Sequence, residues 1–71
     1  MKREPLNSSM LASAGYDEDA GVLEVEFASG EVYRYFDVPA DVYAGLLDAE
    51  SKGKYMTIDV LPVYRYQRVR R

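Results

Sequence analysis

VLEVEFASGEVYRYF, at residues 22–36, is the stretch that decides the fold of this chain. Apolar and acidic residues alternate strictly from Leu23 to Phe27, which predicts a strand with one buried face. A second run, rich in aromatic residues, follows after a short turn that contains Gly30. The two runs together predict an antiparallel β-hairpin.

The length of the loop sets the register of this hairpin. A two-residue turn would require a positive φ at its first position, a serine, which tolerates it poorly. A three-residue loop at 28–30, with its glycine in the left-handed region, avoids that strain. This loop places Glu24 opposite Arg34, a favourable cross-strand charge pair. It also directs the rings of Tyr33 and Tyr35 toward the core.

One more strand is expected before the hairpin, because residues 9–16 alternate loosely. The side expected to pack on the core carries Met10, Ala12, Ala14 and Tyr16. A turn at 17–21 then connects this strand to the hairpin. Asp17 and Asp19 have the spacing of calcium-loop ligands, but Gly21 stands where that loop needs an oxygen ligand. We therefore expect a solvated turn.

A helix that covers the sheet is expected after the hairpin. Pro39 suits the first helical position, and Asp41 lies in the first turn, where the helix dipole favours an acid. The apolar stripe of this helix consists of Val42, Tyr43, Leu46 and Leu47. Gly45 indicates either the close approach of another backbone or a weak point of the helix.

The segment at 51–54 ends this helix, and either Gly53 caps it or Ser51 caps a second one. Residues 55–61 fit a short second helix, although their β-branched residues leave a strand open. Residues 63–69 alternate and predict a final short strand.

The predicted fold is α+β: a three-stranded antiparallel meander followed by one covering helix, a short second helix and a short C-terminal strand. We expect a single domain at 9–69, with a flexible lead-in at 1–8 and a frayed basic tail at 70–71.

The composition argues against catalysis. The 71 residues include neither Cys nor His, which removes disulfides, thiolate nucleophiles, the usual general base and the commonest metal ligand. We expect no enzymatic activity, no cofactor and no metal. No apolar run is long enough for a signal peptide or a membrane span, so a soluble cytoplasmic protein without a membrane partner is expected.

Charge is divided unevenly along the chain. Residues 1–50 carry three basic and eleven acidic side chains, a net of −8, whereas residues 51–71 carry six basic and one acidic, a net of +5. This asymmetry indicates either a nucleic-acid surface or two halves that neutralise each other. The candidate nucleic-acid-binding residues are Lys52, Lys54, Tyr55, Tyr64, Arg65, Tyr66, Arg68, Arg70 and Arg71.

The tripeptide Tyr-Arg-Tyr occurs twice, at 33–35 and at 64–66. In a strand it presents two phenol rings on one face and a guanidinium on the other. Exposed rings could stack on unpaired bases, whereas buried rings would fill a core that has only two Phe and no Trp. We expect Tyr33, Arg34 and Tyr35 to be mainly structural.

The order and spacing of several segments resemble the KTSC domain, known from the C-terminus of some lysyl-tRNA synthetases and as a stand-alone bacterial protein. The residues that carry the resemblance are Ser8-Ser9, Gly15-Tyr16-Asp17, Leu23-Glu24-Val25-Glu26-Phe27, Gly30, Val32-Tyr33-Arg34-Tyr35, Val38-Pro39, Val42-Tyr43, Leu46-Leu47 and Ser51-Lys52-Gly53-Lys54-Tyr55.

The resemblance spans roughly residues 5–69, and the family's central Tyr-x-Tyr motif matches residues 33–35. It implies a small module without an established biochemical function, for which attachment to a tRNA-charging enzyme suggests RNA binding. The family pattern has Phe-Asn and a more basic helix after Tyr55. Residues 56–62 depart from it, which weakens the case for RNA.

Two functions follow as hypotheses. The leading one is a small non-catalytic module that binds RNA, such as tRNA, through basic and tyrosine side chains. The alternative is a protein–protein interaction or assembly module, whose partner is another protein or a second copy in a homodimer. The charge of residues 51–71 favours RNA, and the acidic balance of the whole chain argues against it.

Overall fold

The computed structural model of the chain describes residues 2–70, with side chains for residues 2–69. Its elements are β1 (Glu4–Pro5), β2 (Leu11–Asp17), β3 (Val22–Phe27), β4 (Val32–Tyr35), α1 (Ala40–Asp48), α2 (Lys52–Tyr55), a π-helical segment (Met56–Val60) and β5 (Tyr66–Arg70). The strands form one antiparallel sheet in the order of the chain. The predicted α+β fold is confirmed.

The β3–β4 hairpin has the predicted register. Glu24 pairs with Arg34, and Val25 pairs with Tyr33. The backbone N–H of Phe27 donates to the carbonyl of Glu31 at 2.8 Å and closes the three-residue loop. The glycine of that loop, Gly30, has a φ of 99°, the left-handed conformation that a residue without Cβ adopts at little cost.

The core lies between one face of the sheet and the helices. Its buried residues are Leu11, Ala14, Leu23, Val25, Tyr35, Val38, Leu46, Met56 and Val60. Leu46 is the buried residue of α1, and Val42 and Tyr43 pack against the cluster from the same helix. The covering role predicted for this helix is therefore confirmed.

The second helix begins at Lys52, and the Ser51 hydroxyl caps it by accepting a hydrogen bond from the backbone N–H of Lys54 at 3.3 Å. Residues 56–60 continue as a π-helical turn, in which the N–H of Leu61 donates to the carbonyl of Met56 at 2.8 Å. Because this turn buries Met56 and Val60, the helical interpretation of residues 55–61 is correct.

The start of the first predicted strand faces the other way. Met10 and Ala12 are exposed and Leu11 is fully buried, so the predicted core side is wrong there. The reason is a β-bulge between Leu11 and Ser13 in the pairing of β2 with β3, since one extra residue reverses the alternation. Beyond the bulge Ala14 is buried as predicted.

The segment expected as a flexible lead-in contributes an additional strand. Glu4–Pro5 forms β1 and pairs with β2, and Leu6 packs against the core. Gly15 accommodates this close approach, because a Cβ there would lie 2.5 Å from the carbonyl oxygen of Lys2. The sheet therefore has five strands, where the sequence predicted a meander of three with one short strand added.

The last strand starts later than predicted, at Tyr66 and not at Val63. The chain first turns after the π-helical segment, where the N–H of Tyr64 donates to the carbonyl of Val60 at 3.2 Å. The second Tyr-Arg-Tyr is consequently split between a turn and a strand, unlike the first. Arg70 is the final residue of β5, and Arg71 lies outside the described residues.

Candidate functional site

An open groove of about 560 Å³ runs along the core-facing side of the sheet, next to β4 and β5. We call it the tyrosine groove. Its lining residues are Met10, Phe27, Ser29, Glu31, Tyr33, Tyr35, Leu61 and Tyr66. Most of this lining is aromatic or aliphatic, as in sites that bind small organic groups.

Three tyrosine rings meet in the groove. Ring centroids are 6.4 Å apart for Tyr33 and Tyr35, 5.6 Å for Tyr33 and Tyr66, and 6.0 Å for Tyr35 and Tyr66. Tyr33 and Tyr35 share a face because they alternate along β4, and Tyr66 stands opposite Tyr35 on β5. Solvent exposure increases across the cluster: Tyr35 is buried, Tyr33 is half-buried, and Tyr66 is 57% exposed.

The hydroxyl of Tyr35 has no hydrogen-bond partner among the described residues, although its side chain is fully buried. Burial, together with smaller contributions from the neighbouring Tyr33 and Tyr66, raises the pKa of this phenol to about 12. The group is therefore a neutral phenol near pH 7, able to donate and to accept a hydrogen bond. A buried polar group left unpaired costs about 1–3 kcal/mol.

Charged side chains border the groove on the β5 side. Arg68 stands opposite Tyr33 in the sheet, and its Nη1 lies 3.8 Å from Oε2 of Glu31, a groove residue. Both side chains are substantially exposed, so this pair is weak and open to exchange with another anion. The guanidinium of Arg65 lies 5.3 Å from the ring centroid of Phe36, and neither residue is part of the groove lining.

Two of the three predicted residues of α2, Lys52 and Tyr55, join this helix to the chain around α1. Nζ of Lys52 donates to the carbonyl of Ala49 at 2.9 Å, and the hydroxyl of Tyr55 donates to the carbonyl of Val42 at 3.0 Å. Lys54 is exposed. Tyr64 packs half-buried against the core.

The candidate residues thus divide into two sets. Tyr66 lines the tyrosine groove, and Arg68 pairs with a residue of its lining. The α2 residues Lys52, Lys54 and Tyr55 are not among the side chains that line it.

Arg34 has a structural partner on the outer face of the sheet. Its Nε donates to Oε1 of Glu24 at 2.7 Å, and Nε of Arg3 lies 3.4 Å from the other oxygen of that carboxylate. Glu24 is only 7% exposed, and a buried carboxylate is stable when it is paired in this way. The structural role predicted for Arg34 is consistent with this contact.

Sequence analysis missed the participation of Tyr33 and Tyr35 in the groove. The predicted register of the hairpin correctly placed both rings on the core side of the sheet. That position indicated a packing role and gave no indication of a groove. The sequence held no clear signal for the groove, because the groove depends on a nine-residue helix, roughly 14 Å long, that lies on a sheet with an unpredicted additional strand. Such a helix does not cover the full width of a five-stranded sheet, where strands lie roughly 4.8 Å apart.

The turn at 17–21, which has the spacing of calcium-loop ligands at Asp17 and Asp19, is held by hydrogen bonds within the chain. Oδ1 of Asp17 accepts hydrogen bonds from the N–H groups of Asp19 and Ala20, at 3.1 and 3.2 Å, so this carboxylate holds the turn together. Within residues 2–70, no helix has the length and apolar character needed to cross a membrane.

Fold and groove together define a class: small α+β domains in which a five-stranded antiparallel sheet presents a Tyr-x-Tyr strand beside two short helices. The model of the KTSC domain family matches residues 7–64. The chain therefore belongs to the KTSC domain family.

Relatives and a solved structure agree with this assignment. An uncharacterized protein of Stutzerimonas stutzeri is 49% identical over 70 residues, covering 97% of this chain and 99% of that protein. The crystal structure of a KTSC domain protein from Yersinia pestis superposes with a TM-score of 0.93 at 29% identity, covering 96% of each chain. A lysine–tRNA ligase of Nostoc punctiforme is 31% identical over 61 residues, which is 86% of this chain but 11% of the ligase.

Proposed function

We propose that this KTSC domain is a non-catalytic module that binds single-stranded RNA through the tyrosine groove and the basic residues of β5, acting in the cytoplasm. The observation that carries the proposal is the position of Arg68 on the same face as the tyrosine rings, opposite Tyr33. Proteins that bind single strands combine aromatic rings for the bases with cations for the backbone.

Two further observations support RNA as the ligand. Residues 51–71 carry a net charge of +5, and phosphate contacts from such residues supply most of the sequence-independent affinity. The similar segment in the Nostoc punctiforme lysine–tRNA ligase belongs to a protein named for a tRNA substrate.

A titration of isotope-labelled protein with tRNA and with a short single-stranded RNA tests the proposal. We expect amide shifts at residues 31–35 and 65–70, and an affinity that falls steeply as salt rises. Arg68→Gln should reduce the salt dependence by about one phosphate contact. Lys2→Gln removes the same charge from an exposed residue outside the groove lining and should leave binding unchanged. Absence of shifts at low salt would refute RNA binding.

A second function is favoured by the edge of the sheet. β5 is the last of the five strands, so one side of its backbone has no strand partner among residues 2–70. Tyr66 and Val69 are 57% and 46% exposed on it, which suits the addition of an extended segment of another protein. An acidic segment fits best, because two β5 edges paired with each other would bring arginines together. Amide shifts of β5 on titration with an acidic extended peptide would support this role, whereas a stable dimer in light scattering would show that β5 pairs with itself despite its arginines.

A further inference from the structure

We infer that the tyrosine groove is a pocket for a single unstacked nucleobase, held between the rings of Tyr33 and Tyr66 and hydrogen-bonded by the Tyr35 hydroxyl. This inference rests on the proposed function, because the RNA strand brings the base to the groove. It adds the chemical class of the bound group and the residue that recognises its edge.

The groove is large enough to hold one base. Its volume of about 560 Å³ lies in the range of sites for small organic ligands. The rings of Tyr33 and Tyr66 are tilted by 52° with centroids 5.6 Å apart, so they are adjacent without being stacked on each other. Phe27 supports Tyr33 edge-on, at an interplanar angle of 88°.

Tyr66 is the movable wall of this pocket. It is 57% exposed and lies at the start of the edge strand, and exposed side chains exchange rotamers within picoseconds to nanoseconds. Its ring lies 6.0 Å from that of Tyr35. Rotation of Tyr66 about χ1 therefore uncovers Tyr35 and makes room for a base, on which the Tyr66 ring then stacks.

The unpaired hydroxyl of Tyr35 points independently to a ligand. Buried hydroxyls in folded proteins are almost always hydrogen-bonded, yet this one has no partner among the described residues. It belongs to a side chain of the groove lining. The edge of a nucleobase offers both donors and acceptors, and either kind satisfies a neutral phenol.

Glu31 adds a preference among the bases. Its carboxylate is part of the groove lining and accepts hydrogen bonds but donates none when ionised. Adenine, cytosine and guanine each present an exocyclic amino group with two N–H donors to such an acceptor, whereas uracil offers only its ring N3–H. The pocket therefore selects amino-bearing bases over uracil.

Two measurements test the base pocket. Adenosine, cytidine, guanosine and uridine are titrated one at a time, with amide shifts at residues 31–35 and 65–67 as the readout. A short single-stranded RNA is then compared with the same strand carrying an abasic nucleotide. We expect the intact strand to bind about tenfold more tightly than the abasic one, as one stacked base and one hydrogen bond allow. Uridine should give the smallest shifts.

Variants assign the roles of the residues. Tyr35→Phe removes only the hydroxyl, and Tyr66→Ala removes the exposed ring. Each should clearly reduce the tenfold difference, because each removes one of its two contributions. Glu31→Gln should weaken the preference against uridine. Tyr43→Phe is the matched control, because this half-buried tyrosine stacks on Tyr16, outside the groove lining, and should bind like the original chain.

The outcomes separate this inference from the proposed function. If intact and abasic strands bind equally, with the expected salt dependence, RNA binding stands and the base pocket is overturned. If no RNA binds at any salt concentration, both are overturned. If an acidic extended peptide shifts β5 and none of the four nucleosides shifts the groove, the pocket is overturned in favour of a protein partner.

Discussion

The ring of Tyr55 lies directly against the α1 backbone at Gly45. Its hydroxyl donates to the carbonyl of Val42 at 3.0 Å, and a Cβ at position 45 would come within 2.9 Å of Cζ of the same ring. The sequence left open whether Gly45 reflects the close approach of another backbone or a weak point of the helix, and the structure shows the close approach of a side chain. This contact joins α2 to α1 and explains a glycine in the middle of a helix.

Gly45→Ala should therefore destabilise the protein, although alanine favours the helical conformation by about 1 kcal/mol. We expect the free energy of unfolding to fall by about 2 kcal/mol, because the new methyl group displaces the Tyr55 ring and its hydrogen bond. Urea denaturation measures the change. In a Tyr55→Leu background the same substitution should be neutral or stabilising; equal effects in both backgrounds would show that the ring is not the cause.

The buried phenol of Tyr35 makes stability sensitive to alkaline pH. Burial raises its pKa in the folded state to about 12, from 10.0 in the unfolded chain. Above pH 10 the unfolded chain loses this proton first, so the folded state becomes relatively less stable until pH 12. We expect the free energy of unfolding to fall by about 2 kcal/mol across that interval, since one pKa unit corresponds to about 1.4 kcal/mol. Denaturation at several pH values measures it, and a loss of the same size in Tyr35→Phe would rule out this origin.

Tyr35→Phe should stabilise the protein near pH 7. The substitution removes a buried hydroxyl that has no partner within the described residues, and removing such a group should raise the free energy of unfolding by about 1 kcal/mol. For a domain of this size that corresponds to a rise in Tm of about 4–8 °C. A lower Tm would show that the hydroxyl is hydrogen-bonded in the free protein. Higher stability with weaker base binding would indicate that the hydroxyl is kept for function.

Glu24→Gln should weaken the outer face of the sheet. The carboxylate is 7% exposed and contacts both Arg34 and Arg3, so its neutralisation leaves two guanidinium groups without their counter-charge. We expect the free energy of unfolding to fall by about 2 kcal/mol. Glu18→Gln, in the exposed turn, is the control and should change stability by less than about 0.5 kcal/mol. A similar loss in both variants would point to net charge as the cause.

Gly30→Ala tests the three-residue loop through backbone strain alone. The φ of Gly30 is 99°, and apart from the adjoining residues of the chain no atom lies within 4 Å of a Cβ placed there, so a clash with another part of the protein does not contribute. We expect the free energy of unfolding to fall by about 1–2 kcal/mol, because alanine avoids this conformation. Thermal denaturation measures the change. Ser29→Ala, in the same loop, should be nearly neutral. If Gly30→Ala is also neutral, the loop has a different conformation in solution.

Sequence patterns over a few residues were sufficient to predict those elements that pair with a segment close by in the chain. The hairpin register followed from the φ that Gly30 allows and from the pairing of Glu24 with Arg34, both local constraints. The bulge after Leu11 and the pairing of Glu4–Pro5 with β2 were not predictable in this way. They depend on how distant segments pack, and the alternation of small residues in that part of the chain is too weak to set a side.

The features of the candidate site can be separated in the same way into those that follow from local sequence and those that depend on the packing of distant segments. The sequence by itself determined the shared face of Tyr33 and Tyr35, the basic character of β5 and the absence of Cys and His. Only the tertiary structure decided that Tyr66 meets both rings, and that the Tyr35 hydroxyl is buried without a partner in the described part of the chain. The physical reason is that strand period and turn geometry act over a few residues. The depth of a groove instead depends on where the short helices stop covering the sheet, which packing across the whole domain decides.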